Sequence, residues 1–523
     1  VNGQQSEVDG RESNFFPQFY VPPPVGGVTA PSTSGFVLPD NFSGSAPAGF
    51  PRVNSTLLNQ PVQTHSEPRV GFAWQPFSSQ HLVLRGGYGI YANRTSFEGN
   101  GSFLALNPPF ALGPFLSGGA NASASLERPF PNLPPSPSFP NFVGNMLPGP
   151  PFAGNNFLLT PIITDPDFKE STVQQYDLEL QYQHKSYVFS ASYAGAKGTH
   201  LALVRSNNQP LLASPSNPVN GLTTNSVANA DERVPFLGLS PSVFRLESSG
   251  NSIYNSLQTT LKKDLSHGLH FLAAYTFSKS IDDAGDSLGA AFAGTFGLPI
   301  AGQVVYNDQH NVAAQRGVSD FDRTHRLVIS GTWGVPGPDH ATSATIRKLG
   351  NGWSISGIAT LQSGLPFSIM DRAAGTLYGP ATLYTTGSLA PGATLAGAGR
   401  SGSVSSRVNE FFKTSEFVPA PFVPDGGLID GKYPVSGGGT IFGDLGRNIL
   451  RGPDQQSFDM AVSKTTPLTE RVKLIFRWET FNVLNRANFA NPSNNVSTPG
   501  AFGVISALTV NPRVMQYALK LQF

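Results

Sequence analysis

Four short stretches bring ionisable side chains close enough to do chemistry. In "SDFDRTHR", Asp320, Asp322 and His325 could hold a metal or exchange a proton. The competing reading, adopted here, is that they flank the start of a strand with Arg323 and Arg326 as charge partners. In "SIDDAGDS", Asp282, Asp283 and Asp286 sit just past a strand end. They lack the spacing and closing Glu of an EF-hand, so they offer at most a loose Ca²⁺ contact, and otherwise a solvated turn shaped by Gly285. In "DLSHGLH", His267 and His270 fall at a hairpin turn with no third ligand. "SGGGTIFGDLGRN" is Gly-rich, but no P-loop Lys or helix pattern follows, and it reads as a flexible loop. No G-x-S-x-G or H-E-x-x-H motif is present. The sequence therefore assigns no catalytic residue, no cofactor-binding residue, no cofactor and no metal ligand, and a non-enzyme is expected.

Composition narrows the class. Basic and acidic residues number 34 and 33, which gives no case for nucleic-acid binding. Charged residues make up only 13%, while Gly (56), Pro (45) and Phe (38) are plentiful. No stretch reaches the roughly 18–20 apolar residues of a spanning helix; "LHFLAAYTF" comes nearest. Cysteine is absent, which excludes disulfides, thiolate metal sites and a Cys nucleophile. Val1 is not a start Met, and no signal-peptide pattern follows it, so a fragment of a longer chain is expected.

The elements that would position these residues are strands. In "TVQQYDLELQYQHK", Tyr176, Leu178, Leu180 and Tyr182 alternate with Asp177, Glu179, Gln181 and Gln183. In "GLHFLAAYTFSKS", Leu269, Phe271, Ala273, Tyr275 and Phe277 share one face. In "ERVKLIFRWETFN", Val472, Leu474, Phe476 and Trp478 oppose Arg471, Lys473, Arg477 and Glu479. The chain closes on "RVMQYALKLQF", where Met515, Tyr517, Leu519, Leu521 and Phe523 alternate with polar residues and Ala518. A period of two predicts strands whose faces meet different environments. The aromatic-rich apolar faces suit an outward belt in lipid.

About eleven strands are predicted, near 67–76, 81–92, 173–184, 187–196, 253–264, 268–279, 324–335, 351–362, 456–465, 471–483 and 511–523. Links within pairs are short (77–79, 184–186, 264–267, 466–469), and links between pairs are long (93–170, 197–252, 281–322, 364–454). Short turns alternating with long loops are the pattern of an outer-membrane barrel, and a soluble domain rarely tolerates such loops. The expected fold is all-β, a transmembrane antiparallel β-barrel with long outer loops. Residues 1–65 are expected to be a loop-like N-terminal segment and 66–523 the barrel. "KGTH" at 197–200 and Phe97, Phe103, Phe110 and Phe115 are expected in outer loops, where they would capture a ligand or fold back as packing.

Several blocks carry a family resemblance. "EPRVGFAWQPFSSQHLVLRGGYGIYAN", "SIYNSLQTTLKKDLSHGLHFLAAYTFSKSIDDA", "RGVSDFDRTHRLVISGTW", "FRWETFNVLNRANFANP" and "NPRVMQYALKLQF", in this order, resemble the C-terminal barrel region of Oar-like TonB-dependent receptors. The resemblance touches most of the chain from about residue 66. It implies the C-terminal strands of a barrel of roughly 22 strands, with a plug domain that contacts TonB and is not found in this sequence. It implies ligand recognition by outer loops and TonB-dependent uptake of a small ligand, glycan or peptide, with outer-membrane lipid, TonB and the barrel-assembly machinery as partners. The alternative is a passive or structural outer-membrane barrel in adhesion or surface organisation; a secreted all-β binding protein is disfavoured by the aromatic outward faces.

Within that reading, Asp177, Glu179, Arg471, Lys473, Arg477, Glu479 and Lys520 are expected to line the lumen, where charge costs little compared with lipid. They would contact a plug or substrate, or pair along the wall. Tyr517, Leu519, Leu521 and Phe523 are expected to form the C-terminal assembly signal.

Overall fold

The computed structural model describes residues 9–21, 34–46, 49–56, 66–76, 81–93, 104, 107, 109–110, 162–237, 239, 241, 243–283, 285–287, 303–379 and 385–523. Its main element is an antiparallel meander of long strands. They are β1 (Arg69–Trp74), β2 (Leu82–Asn93), β3 (Ser171–His184), β4 (Tyr187–Ser206), β5 (Phe244–Ser266), β6 (Leu269–Asp282), β7 (His325–Gly334), β8 (Trp353–Gln362), β9 (Gln455–Pro467), β10 (Lys473–Phe481) and β11 (Val514–Gln522). Each pairs with its neighbours in chain order. Among the described residues β1 and β11 are the two ends of the path and do not pair with each other. Every predicted strand segment corresponds to one of these strands.

Directly opposed residues share a face, so the registers reveal what each face is made of. One row runs Trp74, Leu84, Leu180, Ala191, Thr259, Tyr275, Leu327, Leu361. Another runs Leu269, Trp333, Ile355, Val462, Trp478, Tyr517. The other face carries Arg85, Glu179, Ser192, Gln258, Thr276, Arg326, Gln362 and Gln455 in one row. A one-residue slip anywhere would mix the two sets. The alternation read from single strands is thus kept in phase across the sheet.

All short connections lie at one end. His267 and Gly268 both have positive φ (51° and 75°), the geometry of a two-residue type I′ hairpin. At Gly268 a Cβ would lie 2.6 Å from the Gly334 carbonyl oxygen, so the turn also needs the missing side chain. Lys185 likewise takes positive φ in the β3–β4 turn. The β7–β8 connection is longer and holds a short helix, α1 (Ala344–Gly350), N-capped by the Ser343 hydroxyl.

Two strands overrun their predicted ends. Residues 197–200, expected in a loop, lie inside β4, and β5 begins at Phe244 instead of near 253. Register shifts between Gly198 and Leu203, with His200 at φ 55°, mark bulges there. Beyond the bulges Leu203, Val204 and Leu246 are buried on neighbouring segments. The one-sided alternation that reveals a strand is therefore lost where both faces are covered.

The apolar cores sit at the other end, among the long connections. Asn14–Tyr20, Ser34–Pro39 and Arg52–Val53 make a small sheet. Its Phe15, Phe36 and Leu38 pack with Ile163, Leu239 and Val243. A larger cluster joins Phe367, Ile369, Phe412 and Phe417 to Val496, Phe502 and Ile505. Phe110 packs against the first cluster, its ring 5.3 Å from that of Phe42. Phe97, Phe103 and Phe115 lie outside the described residues.

Candidate functional site: the polar face and the layer of long connections

Strands of period two place Asp177, Glu179, Lys473, Arg477, Glu479 and Lys520 on the polar face. Arg471 falls in the β9–β10 turn, before β10 begins. The face is laced by contacts between neighbours. Arg85 lies 3.5 Å from Glu179 and donates to Gln181 at 2.5 Å. Arg477 pairs with Glu479 at 2.6 Å, and Gln516 donates to the other Glu479 oxygen at 3.1 Å. Gln362 donates to Gln455, which also accepts from Arg323. Sequence reading passed over Arg85 and named Arg326 only as a charge partner within its own stretch. Their position in the alternation (Arg85 opposite Glu179) was the available signal.

At the long-connection end the polar face meets a set of buried ion pairs. The Asp282 carboxylate pairs with Arg447, whose side chain is almost wholly buried. Arg447 also donates to the Gln315 carbonyl at 3.2 Å and lies 3.7 Å from Asp320. Asp322 pairs with Arg451 and accepts from the Ser280 amide at 2.6 Å. Asn448 donates to Asp320 at 2.5 Å and to the Val318 carbonyl at 2.6 Å. Asp283 pairs with Arg316 at 3.1 Å.

These contacts correct the reading of "SDFDRTHR". The charge partners of Asp320 and Asp322 are Arg447 and Arg451, from a segment more than 120 residues downstream. Arg323 instead donates to the Ser363 carbonyl at 2.5 Å, and Arg326 joins the polar row. His325 Nδ1 lies 2.9 Å from the Tyr275 hydroxyl, away from the carboxylates. The stretch "SGGGTIFGDLGRN" is likewise no free loop at its end: Arg447 and Asn448 are both buried. Asp282 and Asp283 are each taken up by an arginine, and the side chain of Asp286 lies outside the described residues. His267 and His270 occupy the hairpin expected of them, His267 in the turn and His270 three residues on, in β6. Among the described residues no group of three His, Cys, Asp or Glu could hold a metal.

Further polar rivets join one long connection to another. Asn225 accepts from the Ala213 amide and donates to the Ala213 and Pro434 carbonyls, each within 2.9 Å. Asn307 donates to Thr386 Oγ1 at 2.8 Å and accepts from the Thr386 amide at 2.9 Å. Asp371 accepts from the Ala420 amide at 2.8 Å and from the Ser497 hydroxyl. Arg233, fully buried, donates to the Leu211 and Leu377 carbonyls and to Asn229. Burial pushes its guanidinium down to about 10, still protonated at neutral pH. Farther along β4 and β5, Arg205 and Arg245 enclose Glu247, and Arg245 also pairs with Asp165 at 2.7 Å. Each rivet satisfies buried polar groups that would otherwise be costly. The described parts of the long connections therefore form a packed layer, with a polar strand face opening from it. That arrangement can bind and orient a polar solute. It presents no nucleophile–base pair among the described contacts.

The residues of the proposed terminal signal lie on the opposite, apolar face of β11. Trp478 opposes Tyr517, Phe476 opposes Leu519 and Leu474 opposes Leu521. Phe523 follows the end of the strand and is exposed.

Residues 1–516 match the family described as "Outer membrane beta barrel domain". No curated protein matches the sequence. Among solved structures the chain is similar to the outer membrane transporter YddB from Escherichia coli, at 9% identity and TM-score 0.39, over 87% of this chain and 40% of that one. It is also similar to BauA, the ferric preacinetobactin receptor from Acinetobacter baumannii, at 11% identity and TM-score 0.33, over 87% of this chain and 36% of that one. The chain thus spans less than half the length of either.

Proposed function

This chain belongs to the family of outer membrane beta barrel domains, and from that premise we propose that it supplies one wall and the ligand-facing loop layer of an uptake receptor. Its location is the outer membrane of a Gram-negative bacterium, and lipid is its environment. In our reading the apolar face meets the acyl chains and the polar face looks into the lumen. Asp177, Glu179, Arg477, Glu479, Lys473 and Lys520 then line the path, with Arg471 at its short-turn rim. Short turns of such barrels face the periplasm and long loops the outside, so the riveted layer would receive the ligand. The described parts of residues 1–65 would belong to that layer, and 66–523 would form the barrel portion.

The sequence blocks quoted above favour an Oar-like TonB-dependent receptor as the parent protein. Its plug and its contact with TonB would lie outside this chain. No bond of the ligand is made or broken; uptake would be driven through TonB. Tyr517, Leu519, Leu521 and Phe523, on the outward face of the last strand, would be read by the assembly machinery.

The observation that carries this reading is the phase of the sheet. An apolar and a polar face persist in register across the strands, while the described parts of the longest connections gather at one end and pack there. The test is uptake. Cells lacking the gene, and cells complemented with it, would be offered panels of ferric siderophores, oligosaccharides and peptides, with and without a protonophore. Gene-dependent accumulation abolished by the protonophore is expected. Gene-dependent accumulation that ignores the protonophore would indicate a passive pore, and no accumulation of any probe would leave a surface scaffold.

A further inference from the structure

The β7–β8 connection differs from the other links at the short-connection end. Its helix α1 is gripped by two side chains of the apolar face. Lys464 stands opposite Trp353 and Phe476 in register. Its ammonium donates to the carbonyls of Lys348 (3.0 Å), Leu349 (3.0 Å) and Asn351 (2.8 Å), and lies 5.0 Å from the centre of the Trp353 ring. The Trp353 indole donates to the Leu349 carbonyl at 2.9 Å. The last carbonyls of a helix have no partners within it and carry partial negative charge. Here a cation and an indole from the apolar face satisfy them, so the C-terminal end of α1 is tied beside that face.

A helix this short does not hold itself together in water. Yet Ile346 and Leu349, one turn apart on the same side, are 54% and 64% exposed. Lys348 beside them is exposed, and Arg347 turns back to the Ala341 and Thr342 carbonyls. Trp333 and Ile355, opposed on the apolar face, continue the surface from the helix into the wall. Apolar side chains, cations and indoles at one level of a lipid-facing wall are the chemistry of the headgroup zone.

We infer that α1 is an interfacial anchor, with Ile346 and Leu349 in the acyl boundary of the adjoining leaflet and Lys348 against phospholipid phosphate. This rests on the reading that the apolar face meets lipid. Continuity with that face selects a phospholipid leaflet as the occupant, and the exposed cation matches its phosphates. The helix would fix the level at which the short-connection rim sits in the bilayer, with its apolar side about 5–10 Å into the headgroup–acyl boundary.

The sequence has no cysteine, so single labels can be placed cleanly within it. The full-length protein would be reconstituted in vesicles of phosphatidylethanolamine and phosphatidylglycerol, with an environment-sensitive fluorophore on Leu349→Cys, Ala344→Cys or Leu180→Cys. The expected result is that the labels at 349 and 180 are quenched by brominated lipid and shielded severalfold from iodide, while the label at 344 is open to iodide. Lys464→Gln should then raise iodide access at 349 severalfold; an unchanged value would overturn the clamp. A lipid-quenched label at 180 with equal iodide access at 349 and 344 would overturn the anchor and leave the barrel reading standing. Iodide access at 180 as well would remove the lipid-facing premise, and the anchor with it.

Discussion

The strand wall and the layer of long connections use the same apolar side chains in opposite ways. In the wall, Leu519 is 70% exposed, and Phe72, Leu180 and Tyr193 also stand clear of the protein. In the layer, Ile369 and Leu377 are fully buried, and Phe15, Phe412 and Phe417 fill closed clusters. Charge is inverted as well. The wall carries Arg477 and Glu479 on an open face, whereas the layer buries Arg447, Arg233 and Asp282. Each half obeys its own solvent. A wall in lipid needs its backbone bonds closed between strands and its apolar groups outside. A layer in water needs an apolar interior and polar groups paired within it. In the proposed reading, one chain can follow both rules because its strands and its connections alternate between the two media.

The largest effect that tests this contrast is expected at Arg447. Arg447→Met leaves the Asp282 carboxylate buried without its cation, a loss of about 3–5 kcal/mol. Hydrogen exchange should accelerate at 315–322 and 444–451, with the amides of β8 and β9 unchanged. Exchange that rose equally through β8 and β9 would mean that wall and layer unfold as one unit. The double variant Asp282→Leu with Arg447→Met should recover much of the protection, since it removes both charges of the pair and strands neither.

Next comes the lipid face. Leu180→Arg should cost about 2–4 kcal/mol near mid-membrane, and Gln181→Arg, one residue along on the polar face, should cost little. Urea titration of the protein folded in lipid vesicles measures both. Equal costs would remove the distinction between the faces on which the wall is defined.

A smaller effect is expected at the β5–β6 turn. Gly268→Ala places a side chain at φ 75° and against the Gly334 carbonyl, and should destabilise the hairpin by more than about 1 kcal/mol. Gly437 also has positive φ, but a Cβ there meets nothing within 4 Å, so Gly437→Ala should cost less in the same titration. A reversed order would mean that crowding against β7 does not control the turn.

The contrast also explains what could be read in advance. Tyr176 to Tyr182 and Leu474 to Trp478 announced their strands because each face met one medium along its whole length. Residues 197–206 and 244–252 did not, because the register shifts near Gly198 break the period, and beyond them consecutive residues such as Leu203 and Val204, or Leu246 and Glu247, are all buried. The rivets were harder still. Arg447 sits in a Gly-rich stretch whose local pattern is that of any loop, and its meaning comes from Asp282, which lies 165 residues away in the chain. Pairing of that kind leaves no trace in spacing. The polar-face charges were legible as a set, yet which of them meet depended on register: Arg85 reaches Glu179 only because β2 and β3 align there.

The smallest predicted effect is the most discriminating about that face. Arg477 and Glu479 form an ion pair two residues apart on one strand, with the arginine more than half exposed. Such a pair in contact with water contributes about 0–1 kcal/mol and weakens with salt. Glu479→Gln should therefore shift the urea midpoint slightly, less at high ionic strength, and should leave the Gln516 contact intact because a Gln oxygen still accepts it. The comparison with Arg447→Met is what matters. If Glu479→Gln in the full-length protein costs several kcal/mol and resists salt, the polar face is not open to water there. It must then be covered by protein that desolvates the pair, and the wall would share the burial of charge that here belongs to the layer. If the cost stays small, the lumen side is wet, and a polar solute can pass along it by exchanging water for the same side chains.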